Sequence, residues 1–396
     1  VSAGAEQDVV GEGQSLSTRV VSGGVENVLG GGSTTATVVN SAGLEAVSAG
    51  GVASNTVVNS SGQLHVLRHG VADLSLVNTG GLAVVDGVGS GLAVAGGVEE
   101  VRSGGVALAG GVSNGGQLVV SSAGLASGVA VSGGGSALVL SGGAASGVGV
   151  ATSGSMRIST GGVARATQLS GGTEFVSGQT VGTVVLGGGH ERVLNHGVAS
   201  ATVISKGGFE AVSSGGVAAA AKVSGGTLVV SAGGSAVSGV SLQAGSVAIS
   251  GAMAAGQVVK FTGVAGTLEL ANLAGFQAKI SGLAISSQKI DLDGFAFGGG
   301  ETRTWTQHGA SGTLLVHDGA NTASLTLIGA YATSDFTLAN DGGGGTFIKV
   351  LGPAPAARLT QTMAGLGARS PGGSPPIQGG RVEAAAPVVT GPTSGH

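Results

Sequence analysis

Glu26, Glu45, Glu191 and Glu210 fall at one position of a recurring sequence unit. A carboxylate repeated at fixed spacing can line up oxygen ligands for a cation, or acceptors for a sugar, along one side of a molecule. Leu64 and Ala83 interrupt the row at the same position, so solvated, outward-facing side chains are the expectation. His65, His69, His190 and His196 suggest metal, and His65 and His69 are four apart, a spacing that suits a helix. That segment is patterned as strand and turn with no carboxylate nearby, so no metal site is expected. The stretch NDGGGGT at 340–346 is similar to calcium-binding glycine-rich nonapeptides but lacks their repeated G-x-D spacing, and a tight turn is expected. Asp291, Asp293, Asp318, Asp335 and Asp341 each lie beside a turn signal, where Asp bonds its own backbone. Glycoside hydrolysis would need two of them facing each other across a cleft. No G-x-S-x-G elbow has a partner set, and no G-x-G string is followed by the Lys of a phosphate loop. No catalytic residue and no cofactor is assigned.

The elements that must position these residues are copies of one unit. Residues 37–53, TVVNSAGLEAVSAGGVA, recur from Thr56 and Ser75, earlier from Thr18, and later from Thr183 and Thr202. A glycine opens the apolar half of each copy, as at Gly24, Gly43, Gly62, Gly81 and Gly208, with most steps 18 or 19 residues. A fixed period near 20 is the signature of a solenoid with one turn per repeat. The fold expected is all-β, a right-handed parallel β-helix of about fourteen turns, on the order of 70 Å long at strand spacing. The marker glycines are expected at corners that need positive φ, and His69 and His196, which replace a corner glycine, are among the residues that tolerate it. Asn40, Asn59 and Asn78 share one position and predict a side-chain ladder, with Ser205 standing there in a later copy. Alternation sets Leu44, Ala46 and Ser48 on one strand face and Glu45 and Val47 on the other, without saying which is inside.

Of 396 residues 83 are Gly, 42% are hydrophobic, 3% aromatic and 9% charged. Collagen is excluded by only 7 Pro and no three-residue period, and disorder by a mean hydropathy of +0.45 with valines in register. A net charge of −4 without a basic run leaves no nucleic-acid footprint. Cysteine is absent, so neither disulfides nor thiolates hold the fold. No stretch is long and apolar enough for a transmembrane helix. Val1 opens inside a repeat, which suggests a piece of a longer, processed chain.

The repeat array is assigned to 1–262 and a non-repetitive β cap to 263–351, where Phe, Trp and Tyr concentrate. Short strands are expected there in TLELANL, AKISGL, KIDLDGFAF, TLLVHDG, ASLTLIG, DFTLAND and TFIKVL. A cap would cover the open row of hydrogen bonds at the solenoid end. Residues 352–396, rich in Pro, Ala and Gly, are expected to be a flexible linker or tail.

At the level of TVVNSAGLEAVSAGGVASN, and through the motif S-x-G-x-x-x-V-x-x-G-G-V-A, residues 1–260 resemble the repeats of AIDA-type autotransporter adhesins. The stretch TLLVHDGANTASLTLIGAYATSDFTLANDGGGGTFIKV resembles the closing module of large alphaproteobacterial secreted surface proteins. The resemblance implies an extracellular passenger domain at the bacterial cell surface, folded as a right-handed β-helix and engaged in attachment, autoaggregation or biofilm. Its partners would be other copies of itself, or host glycans or proteins. It also implies O-heptosylation by a heptosyltransferase, with Ser22, Ser41, Ser60 and Ser205 matching the corner serines of that repeat and Gly187 in that place in the copy at Thr183. The family's membrane barrel is not contained in 352–396.

Two functions remain. One is a structural, adhesive surface protein, not an enzyme, whose uniform face gains strength by multivalency. The other is a carbohydrate-active β-helix, a polysaccharide lyase or hydrolase. That would need clustered Arg, Lys and Asp, and 16 Lys plus Arg over this length show no such cluster.

Overall fold

Three short strands and three corners make one turn. In the second full turn they are Val25–Val28, Ser33–Thr35 and Val38–Val39, and each pairs in parallel with its equivalent one turn later. The computed structural model describes residues 1–298 and 300–351, so the linker expected at 352–396 lies outside the described residues. The result is a right-handed β-solenoid of about 15 turns. Its register is strict: Val28 lies against Val47, Val47 against Val66 and Val66 against Val85. Hydrogen bonds also pass between turns at the corners, as from Leu44 N to Gly24 O and from Gln63 N to Gly43 O, both 3.0 Å. The backbone of each turn is therefore satisfied by its neighbours.

The strand alternation left open by the sequence resolves with Glu45 and Val47 inside and Leu44 and Ala46 half-buried outside. The Val column 28, 47, 66, 85 and the third-strand column Val39, Val58, Val77, Val94 are buried against alanines of the second strand such as Ala53 and Ala72. A narrow triangular interior holds one side chain per strand position, so Val and Ala suffice where a globular core would need Leu and Phe.

Parallel stacking continues past residue 262. Gly266–Leu270 pairs with Gln288–Leu292, and Leu270 lies against Leu292. Beyond it the pairing becomes antiparallel. Thr346–Val350 runs against Gln288–Leu292 and against Phe336–Asn340. Thr302–His308, Ser311–Asp318 and Asn321–Ile328 form a meander, whose last strand also pairs in parallel with Lys279–Ser281. These strands take up the hydrogen bonds that the last turns would leave open. Trp305, Tyr331 and Phe336 pack together here, with ring centroids 5.2–5.5 Å apart. Thr302–His308 was not among the expected strands, because its only large apolar residue is Trp305 and the rest of TRTWTQH is polar.

Candidate functional site

The glutamate row is inside the solenoid, contrary to the solvated reading. Glu26, Glu45, Glu191 and Glu210 have no exposed surface, and Glu99 and Glu174 join them in the same column. Leu64 and Ala83, which interrupt the row, sit in that column too. Three of the repeated carboxyls are each clamped by two hydroxyls, one from the second strand of a turn and one from the corner before the third strand. Thr34 Oγ1 donates to Glu45 Oε1 at 2.6 Å and Thr56 Oγ1 to Oε2 at 2.7 Å. Ser15 and Thr37 do the same for Glu26 at 2.8 and 3.0 Å, and Thr180 and Thr202 for Glu191 at 2.9 Å each. Each clamp lies eleven residues before or after its glutamate. Glu210 has Ala199 and Ala221 at those offsets, and neither of its carboxyl oxygens has a partner among the described residues. Burial pushes the Glu45 carboxyl up to about 7 against the lowering effect of Thr34 and Thr56, and the Glu99 carboxyl up to about 8. Burial likewise raises Glu174, Glu191 and Glu210, with the neighbouring Glu191 raising Glu174 and Glu210 further. Closed off from solvent, this row cannot present itself to a cation or a sugar outside.

The corners are the accessible polar positions. Ser22, Ser41 and Ser60 are exposed, each two residues before a buried glycine. Ser205 is not their equivalent. Ile204 lies against Val185 in the column of Val39 and Val58, so Ser205 stands at the Asn40 position, half-buried, and Lys206 takes the corner. A second corner presents the same geometry with Ser103, Ser122, Ser141, Thr160 and Ser214, all exposed and all two residues before Gly105, Gly124, Gly143, Gly162 or Gly216. The S-x-G spacing was the signal that could have found them.

The marker glycines also need a different explanation. Gly24, Gly43, Gly62, Gly81 and Gly208 do not have positive φ; the residue before each does, Gly23 at 81°, Ala42 at 62°, Ser61 at 61°, Gly80 at 77° and Gly207 at 77°. What these positions forbid is a side chain. A Cβ at Gly43 would lie 2.7 Å from Val20 O of the preceding turn, at Gly62 2.5 Å from Val39 O and at Gly81 2.6 Å from Val58 O. Close stacking, not backbone dihedral, selects glycine there. His69 and His196 do occupy left-handed backbone, at 63° and 66°.

The asparagine ladder forms: Asn59 Nδ2 donates to Asn40 Oδ1 at 2.9 Å, and Asn78 Nδ2 to Asn59 Oδ1 at 2.8 Å. Of the histidines, His69 and His196 lie on corners and His65 and His190 on outward strand positions. No group of three or more His, Asp or Glu side chains among the described residues is placed to hold a metal ion. Asp341 accepts from Gly343 N at 2.6 Å and Gly345 N at 2.8 Å, which makes 340–346 a capped turn. Asp318 and Asp335 likewise take backbone amides, from Ala296 and Ala332. Asp291, Asp293 and Asp341 meet Glu269 around an open cleft of about 500 Å³. Partial burial, with Asp341, Glu269 and Asp293 adding to it, raises Asp291 to about 6.

No family profile and no curated protein matches the chain. Among solved structures it is similar to a TibA fragment hyper-glycosylated by TibC, with a TM-score of 0.58 and 34% identity, covering 60% of this chain and 89% of that one. With a third of the residues identical across nearly all of that fragment, on a solenoid of parallel strands, the chain belongs to the autotransporter adhesin passenger domains of AIDA type.

Proposed function

We propose that this protein is a surface-displayed adhesin that mediates attachment, autoaggregation or biofilm formation through the long faces of its solenoid, and that it is not an enzyme. The observation that carries this reading is the likeness to the TibA fragment over 89% of its length. The physical support is uniformity: strand after strand presents the same outward positions at ~4.8 Å spacing, so weak contacts repeat and add. In this reading the array over 1–262 carries the adhesive faces. The strands of 263–351 act as a closing module of the alphaproteobacterial secreted type. The partners are other copies of the chain, or host glycans and proteins.

The same reading places sugar on the corners. The TibA fragment is hyper-glycosylated by TibC, and we extend this to O-heptosylation of Ser22, Ser41 and Ser60, whose hydroxyls are exposed on sharp bends. Half-buried Ser205 would be the poorest acceptor of the four. Co-expression with a heptosyltransferase followed by peptide mass mapping should find heptosyl increments at the three exposed serines. Increments confined to other positions would remove the corner assignment. For adhesion, beads coated with the full chain should clump or capture cells where beads bearing an inert monomer do not.

One observation favours a second reading. The carboxyl cleft at Glu269, Asp291, Asp293 and Asp341 is where a hydrolase centre would lie. Two of its features oppose this: Asp341 is committed to its own turn, and no Arg or Lys among the described residues lines the cleft. New reducing ends or unsaturated products from a polysaccharide panel would establish that reading in place of the first.

A further inference from the structure

The outward positions of the four-residue strands form two columns along one flat face, and charge and aromaticity are unevenly distributed on it. Glu6, Asp8 and Glu100 lie toward one end and Glu269 and Asp291 toward the other. From Gln117 to Ala248 the two columns hold no carboxylate. That middle stretch carries Arg157, His190 and Arg192 together with Phe175 and Phe209, the only aromatic residues before Phe261. They are set by register: Arg157 lies against Phe175, Phe175 against Arg192, and His190 against Phe209.

The geometry is that of a prepared surface. The Arg157 guanidinium lies 5.2 Å from the centre of the Phe175 ring, and neither Arg157 nor Arg192 has a carboxylate partner among the described residues. The His190 and Phe209 rings are 5.7 Å apart, and His190 Nδ1 is buried without a hydrogen-bond partner among the described residues. A depression of about 240 Å³ opens beside Phe175, lined by Ser136, Leu138, Ser155 and Arg157 among others. Arg157 and Arg192 are two strands apart, about 10 Å along the axis. Every strand here is paired on both sides. A peptide therefore has no open edge to join, and recognition must come from side chains.

Half-exposed rings, two forked cations about 10 Å apart and serines beside them suit a chain of sugar rings that carries acid groups. We propose that this face, centred on Arg157, Phe175, Arg192 and Phe209, binds an acidic polysaccharide. The guanidiniums take carboxylates, and the phenyl rings pack on the apolar faces of the sugars. This rests on the adhesin reading and names the ligand class of its surface.

The test is binding of the purified full chain to immobilised polygalacturonate, to the same polymer with its carboxyls reduced, to dextran and to polyglutamate. Binding to polygalacturonate alone is expected, weakening as salt rises. The double variant Arg157→Ala/Arg192→Ala should lose about tenfold or more in affinity, with Phe175→Ala losing a similar factor and Arg157→Lys much less. All these side chains point outward, and an unchanged melting temperature confirms that the variants fold. Equal binding by the double variant, equal binding to the reduced polymer, tighter binding to polyglutamate, or no binding to any of them would each overturn the proposal. Bead clumping separates the two readings. If variant beads still clump while polygalacturonate binding never appears, the acidic-sugar site is wrong and the adhesin reading stands.

Discussion

Two turns of the same solenoid solve the same problem differently. At Glu45 a carboxyl buried in a Val and Ala interior is held by Thr34 and Thr56, eleven residues to either side. At Glu210 the side chain has the same position and the same burial, but Ala199 and Ala221 stand at the clamp offsets and both oxygens are unpartnered among the described residues. An unsatisfied buried polar group costs about 1–3 kcal/mol. The difference shows that a solenoid tolerates a polar interior group turn by turn, because each turn is packed only by its neighbours. It also divides the row into clamped and unclamped glutamates.

The largest effect should come from a charge with no clamp at all. Val47→Asp, beside Glu45 on the same strand and fully buried, should cost about 3–5 kcal/mol in thermal or urea unfolding, as uncompensated buried charges do. Unchanged melting would mean the interior is wetter than the packing indicates. Thr34→Val with Thr56→Val should turn the Glu45 turn into a copy of the Glu210 turn, at a cost of about 2–4 kcal/mol. If the pair costs no more than a surface change, the clamps are incidental. The reverse experiment is Glu210→Leu, which matches Leu228 in the next turn and should raise stability by about 1–3 kcal/mol. A loss there would show that the bare carboxyl has a structural partner after all.

Proton uptake sharpens the same contrast. A carboxyl that stays neutral when folded and ionises when unfolded binds more protons folded. Stability is then fullest below the ordinary Glu value of 4.5 and falls as pH rises through about 7 for Glu45 and about 8 for Glu99. Each such group removes at most about 1.4 kcal/mol per pH unit in that window. Melting temperature should therefore drop between pH 5 and pH 9, and Glu45→Gln with Glu99→Gln should flatten the drop. A flat profile in the unsubstituted chain would mean that the row ionises in the folded protein at the ordinary Glu value. The smallest effect belongs to the outer ladder: Asn59→Ala breaks two half-buried amide bonds and should cost about 1 kcal/mol.

The solenoid itself was legible from the chain because its period is written in glycines and valines that recur every 18 or 19 residues. The asparagine ladder was legible for the same reason. The glutamate row was misread because a column that alternates Glu with Leu64 and Ala83 looks like an interrupted polar stripe. In fact Leu and Ala at those places were the sign of burial, and the threonines eleven residues away were the sign of how a carboxyl survives there. Glu99 and Glu174 escaped notice because turns of 16 and 18 residues shift them out of a strict 19-residue frame. The corner serines were half legible. S-x-G identifies both corners, but only one was read, and the Ser205 assignment slipped by one residue.

By itself the sequence determined the repeat, the parallel stacking and the strand character of the C-terminal region. Those properties depend on periodicity and composition, which are local and one-dimensional, whereas the kinship with adhesin passengers rested on the resemblance of the repeat motif. The tertiary structure alone decided which face of each strand is inside, why glycine stands at each marker position, and that Arg157, Phe175 and Arg192 share one surface. Each of those is a relation between residues a full turn apart, where a carbonyl of one turn meets a Cα of the next or side chains align in register. Such contacts exist only once the turns are stacked.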